Sequence, residues 1–112
     1  MQKVEAIIRP EKLQVVKMAL EELNHAGMTL TEVRGHGIQR GITEQWRGRS
    51  FAVEYLTKVK VELVVADGDV AEVVDRIIEA ARTGEVGDGK IFVTPVTSAV
   101  RIRTGERDDA AL

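Results

Sequence analysis

The chain reads as two β-α-β patterns separated by a long stretch that keeps neither the helical nor the strand period, and few folds accommodate that order. "KVEAIIR" (Lys3 to Arg9) is short and rich in branched apolar residues, a buried strand. Pro10 suits the first turn of a helix, where its missing N–H costs nothing, and Glu11 complements the helix dipole. Leu13, Val16, Leu20 and Leu23 recur at helical spacing, and the pattern ends near Gly27. "MTLTEVRG" (Met28 to Gly35) then alternates, with Met28 and Leu30 on one face and Thr29, Thr31 and Val33 on the other.

From Gly35 to Thr57 the period fails, and the second half begins with "KVKVELVV", which alternates strictly. Asp69 and Glu72 have the spacing of a capping box, and Val70, Val73, Val74, Ile77, Ile78 and Ala81 form the apolar stripe of a helix. After a glycine-rich stretch, "KIFVTPV" is a fourth strand, with Pro95 tolerated near its end or on an edge. "AVRIRTGE" begins extended and breaks at Gly105, leaving a polar, loose tail.

This order predicts an α+β, ferredoxin-like βαββαβ sandwich: one antiparallel sheet with two helices on one face, as a single domain over residues 1–112. The long loop between strands 2 and 3 covers about residues 37–55. The second sheet face carries Thr29, Thr31, Val64 and Phe92, and a domain of 112 residues has reason to cover such a face by association. A net charge of −2 gives no electrostatic reason for nucleic acid or anionic membrane as a partner. Without cysteine, disulfides, thiol chemistry and cysteine-ligated metals are excluded. No apolar run is long enough to span a bilayer and Met1 opens no signal peptide, so the expected location is cytoplasmic.

Chemistry concentrates in three places. In "ARTGEVGDGKIFV" (Ala81 to Val93), Gly84, Gly89 and Lys90 reproduce a Walker A loop except that Ile91 replaces its Ser or Thr. That loop needs a strand before it and a helix after it; here a helix precedes and Lys90 opens a strand, so a P-loop NTPase is rejected. Two readings stay open: Gly84, Gly87 and Gly89 let backbone N–H groups converge on an anion beside Lys90, or Gly84 ends a helix and a hairpin-like turn follows.

In "VRIRTGE", Arg101 and Arg103 stand two apart, which in an extended segment puts both guanidiniums on one face, an arrangement suited to phosphate. The alternative is a solvated edge with Glu106 as partner. With Lys90 they form a cationic cluster in an acidic chain.

The aperiodic stretch combines Trp46, Phe51 and Tyr55 with Arg40, Arg47 and Arg49, the residue types that protein interfaces favour; the alternative is a hairpin extension without a partner. RNA binding is disfavoured, because Phe92 alone among the aromatics lies in a core strand and no RNP-like motif occurs. Catalytic patterns are missing. His25 and His36 lack metal-ligand spacing, and Ser50 and Ser98 lack a nucleophile elbow. The chain does not read as an enzyme.

Over essentially its whole length the chain resembles the PII nitrogen-regulatory signal proteins, on "EAIIRPEKL", "GMTLTEVRGHG", "TEQWRG", "ARTGEVGDGKIFV" and "VRIRTGERDDAAL". The resemblance implies a homotrimer that binds ATP or ADP between subunits and, with Mg²⁺-ATP, 2-oxoglutarate. Its long loop then engages or releases an ammonium channel and nitrogen-metabolism enzymes or regulators, reaching a membrane only through a transporter.

By position, the resemblance gives Gly87, Asp88, Gly89 and Lys90 to the nucleotide phosphates and ribose, with Arg101 and Arg103 supplied by the neighbouring subunit. Thr29 and Val64 fall near adenine, and Gly35 and Gly37 at the loop base near the nucleotide. Gln39 holds Mg²⁺ and 2-oxoglutarate, Lys58 pairs a carboxylate of the latter, and Arg9 assists.

The chain departs from the family pattern at Phe51, which stands where many members carry a modifiable tyrosine and has no hydroxyl to accept a nucleotidyl group. Ser50 beside it is a weaker candidate for phosphorylation. Ile38 replaces a common arginine, and His36 stands where an aromatic is frequent. Two alternatives remain: a PII-like nucleotide-binding regulator sensing a different small molecule, and a slow ATPase.

Overall fold

The computed structural model describes residues 1–25, 27–38, 44–46, 49–51 and 53–112, with the side chains of 37–55 excepted. Its main sheet has four strands: β1 (Gln2–Ile8), β2 (Thr29–Ile38), β5 (Val53–Val65) and β6 (Lys90–Pro95). They lie in the order β2-β5-β1-β6, every neighbouring pair antiparallel. A separate ladder joins β3 (Glu44–Trp46) to β4 (Arg49–Phe51). Helix α1 (Leu13–Glu22) joins β1 to β2 and helix α2 (Val70–Ala81) joins β5 to β6, each crossover passing over one intervening strand. This is the expected ferredoxin-like sandwich.

The period of each element decides what it buries. Val4, Ala6 and Ile8 of β1 and Val59, Val61, Leu63 and Val65 of β5 face the helices and are buried. Val16 and Leu20 of α1 and Val73, Ile77 and Ala81 of α2 close over them. Each large side chain among these contributes on the order of 1.5–3 kcal/mol by leaving water. The cross-strand register turns Thr29, Thr31, Lys60, Glu62, Glu5 and Phe92 to the other face. There Lys3, Glu5, Lys60 and Glu62 share ion pairs of 3.6–3.7 Å.

Four expectations need correction. The β2–β5 ladder does not stop at Gly35 but continues to Ile38 opposite Val53. Backbone pairing, which leaves no side-chain period to read in the sequence, sustains it. The capping box does not form: residues Asp67–Asp69 make a 3₁₀ turn, and Asp69 has helical φ and ψ with no side-chain cap bond.

Nor is Gly84 the cap of α2, which ends at Ala81 and passes into an extended Arg82. The tail is also tied down rather than loose. Val100 pairs with Arg107, the Asp108 N–H donates to the Ala99 carbonyl, and a 3₁₀ turn covers Asp108–Ala111.

Candidate functional site

Between α2 and β6, residues 82–89 form a loop whose geometry rests on three glycines and one carboxylate. Gly84, Gly87 and Gly89 have φ of 88°, 101° and 101°, the left-handed region that side chains disfavour. Gly89 also passes so close to β1 that an added Cβ would stand 1.7 Å from the Ile7 carbonyl oxygen. By contrast, a Cβ at Gly35 would meet only ordinary contacts, the nearest 3.7 Å away on Leu56.

The Asp88 carboxylate lies inside the loop. One oxygen accepts the N–H groups of Thr83 and Gly84, both at 2.9 Å; the other accepts the Thr83 hydroxyl and, at 3.0 Å, the Arg9 Nε. These bonds, the Thr83 hydroxyl first among them, hold the Asp88 carboxyl far below the ordinary carboxylate range. Arg9 also donates to the Val86 carbonyl at 2.9 Å, and the Lys58 ammonium donates to the Gly87 carbonyl. Burial, and then repulsion from Arg9, lower the Lys58 pKa below the usual lysine value.

Two hollows flank the loop. One of about 410 Å³ runs between α2 and the edge of β6, with Ile78, Asp88, Gly89, Lys90 and Ile91 in its walls. A smaller one of about 120 Å³ is lined by Arg9, Glu11, Leu56, Lys58, Val86 and Gly87. The structure therefore brings Arg9, Lys58, Gly87, Asp88, Gly89 and Lys90 to one end of the sheet. Lys90 stands in the wall of the larger hollow and Arg9 and Lys58 in that of the smaller, so cations border the glycine backbone on both sides, a setting suited to an anion. Thr29 and Val64 lie on the face opposite the helices, and Gly35 and Gly37 lie in the ladder beyond the loop.

Arg101 and Arg103 are elsewhere. They follow the Pro95 end of β6, and the five residue steps from Lys90 span about 17 Å. The extended, same-face arrangement expected for them is overturned. Arg101 and Glu106 close a tight turn, with the Gly105 N–H bonded to the Arg101 carbonyl at 2.7 Å and Gly105 at φ 73°. Val100 opposite Arg107 fixes that turn, so the segment reverses instead of running on. The Arg101 guanidinium meets Glu106 at 3.1 Å and the Leu112 carbonyl at 3.2 Å, the alternative that the sequence had left open.

Gln39, Arg40 and Arg47 lie outside the described residues. Trp46 falls in β3, Ser50 and Phe51 in β4, Tyr55 in β5, and Ile38 ends β2. Among the described residues, no group of three His, Cys, Asp or Glu could hold a metal, and no helix is long and apolar enough to cross a membrane. Thr83 went unnoticed in the sequence; its signal is a hydroxyl five residues before an aspartate, amid glycines at 84, 87 and 89.

Comparison with known proteins gives this arrangement a context. The family model for nitrogen regulatory protein P-II matches residues 1–106. The chain is 59% identical over 112 residues to nitrogen regulatory protein P-II of Synechocystis sp. (strain ATCC 27184 / PCC 6803 / Kazusa), covering the whole of both. To that of Microchaete diplosiphon it is 60% identical, and to nitrogen regulatory protein P-II 1 of Escherichia coli (strain K12) 54%, again with both chains fully covered.

Proposed function

The chain belongs to the nitrogen regulatory protein P-II family, and on that premise we propose that it is a non-enzymatic trimeric sensor of ATP, ADP and 2-oxoglutarate. The observation that carries this reading is the division of its cationic groups between opposite ends of one sheet. Lys90 and the glycine loop stand at one end, Arg101 and Arg103 at the other. A head-to-tail contact that closes into a ring would bring one subunit's loop against its neighbour's arginines, completing an anion site that no single chain contains.

In that site the N–H groups around Gly87 and Gly89 and the Lys90 ammonium receive phosphate oxygens. The neighbour's Arg101 and Arg103 supply the remaining charge. Thr29 and Val64, on the uncovered sheet face, border the base, and Gly35 leaves room at the foot of the β2–β5 ribbon, with Gly37 two residues further along the strand. Gln39 would hold Mg²⁺, whose charge would favour the anionic nucleotide and 2-oxoglutarate together. Lys58 and Arg9 receive the carboxylates of the latter, for which Lys58 must exchange the Gly87 carbonyl for the new partner.

Lys58 belongs to β5, and β5 continues without a break to Val53 in the ribbon. Occupancy at Lys58 would therefore reach the ribbon through one strand, and the segment beyond it, with Trp46 in β3, Phe51 in β4 and Tyr55 in β5, would engage targets such as an ammonium channel or nitrogen-assimilation enzymes. Nucleotide and 2-oxoglutarate favour each other by the same coupling free energy in both directions.

A second reading, a P-II-like regulator of a different small molecule, is favoured by one observation: Lys58 and Arg9 are already bonded within the loop. Calorimetric titration of 2-oxoglutarate with Mg²⁺-ATP, with Mg²⁺-ADP and without nucleotide separates the two. Binding only with Mg²⁺-ATP is expected. Intact ATP binding with no 2-oxoglutarate binding selects the second reading, and absence of ATP binding sinks both.

A further inference from the structure

An aspartate inside a phosphate-binding loop is at first sight misplaced, since a bare carboxylate repels the anion that the loop must hold. Here the carboxylate is fully occupied. Its two oxygens accept from the Thr83 hydroxyl, the Thr83 and Gly84 N–H groups and the Arg9 Nε. The Thr83 hydroxyl is itself oriented, because its oxygen accepts the Glu85 N–H at 3.1 Å. The hydroxyl thus links the start of the loop to Asp88 near its end, across two of its left-handed turns, at Gly84 and Gly87.

We propose that Thr83 is a positioning residue for the glycine loop, acting through Asp88, and that Asp88 organises the loop instead of contacting nucleotide. The inference rests on the nucleotide-binding reading above. Thr83 and Asp88 hold the backbone in the shape that lets the groups around Gly87 and Gly89 face a phosphate. Arg9 joins that clamp to the end of β1, and the same guanidinium occupies the Val86 carbonyl.

The test uses the intact protein, Thr83→Val, which keeps the side chain's shape but loses the hydroxyl, and Thr83→Ser, which keeps the hydroxyl. ADP affinity is read by calorimetry, and loop order by hydrogen exchange of the Gly84 amide, with the core amide of Val61 as reference. T83V should weaken ADP about tenfold, the loss of one hydrogen bond to a charged group, and speed exchange at Gly84 while leaving Val61 unchanged. T83S should restore both. Unchanged ADP affinity in T83V, unchanged protection at Gly84, or equal loss of protection at Gly84 and Val61 each overturns the proposal. If the wild-type protein binds no ADP, the nucleotide reading falls instead, and exchange at Gly84 alone still decides whether Thr83 orders the loop.

Discussion

Gly89 and Gly35 make opposite demands on the fold, although both are single glycines near the same end of the sheet. Replacing Gly89 by alanine forces a Cβ into the Ile7 carbonyl at a φ of 101°, and should lower unfolding free energy by about 1–3 kcal/mol in urea. An unchanged midpoint would mean that the loop can lift off β1. Gly35→Ala meets no such obstacle and should stay within about 0.5 kcal/mol of wild type, yet lose ADP affinity if the proposed nucleotide site extends to the space beside it. Undiminished ADP binding would remove Gly35 from the site.

Lys58 extends the same reasoning to pH. Its lowered pKa means that it sheds its proton sooner than an ordinary lysine as pH rises, so 2-oxoglutarate affinity should decline earlier on the alkaline side. Lys58→Arg should push the decline to higher pH, and coincident profiles for the two proteins would exclude Lys58 as the titrating group. The stability sign is opposite. Between the folded and the ordinary lysine pKa the unfolded chain binds more protons, so this group's contribution to stability rises with pH there.

At the scale of elements, α2 derives its place from one stripe. Ile77→Ala should cost about 2–5 kcal/mol, because Ile77 lies fully buried between helix and sheet. Val15→Ala on the exposed side of α1 should cost under about 0.5 kcal/mol, and comparable losses in the two variants would contradict the packing described.

The same periodicity made much of the fold legible. Alternation in "KVKVELVV" and "MTLTEVRG" assigned the sheet faces, including the outward Lys60, Glu62, Thr29 and Thr31, because burial of one face fixes register. It failed beyond Gly35, where the ribbon has left the core and pairing depends on backbone bonds that no side-chain period records. It failed also at Arg101 and Arg103. Their reversal depends on Gly105 at φ 73° and Asp108 at φ 55°, neither of which follows from residue type alone. Within the site, the glycines and Lys90 stood out in the sequence. Thr83 and the Arg9–Asp88 contact did not, since the latter joins residues 79 apart.

For the whole molecule, the decisive question is whether Lys90 and Arg103 act in one chain or in two. Lys90→Ala and Arg103→Ala should each abolish tight ADP binding alone. Co-expressed and mixed at random, they should regain about a quarter of the wild-type sites, because a cleft built from the two intact halves needs one of each. No recovery in a mixed assembly would place both groups in a single chain's site.

The separation of these two ends also has a genetic consequence. In the proposed ring each subunit would lend its loop to one cleft and its arginines to another, so a chain damaged at both ends would spoil the clefts on either side of it. Such an allele would be dominant over a normal copy, and a chain damaged at one end only would be partly complemented by a partner damaged at the other.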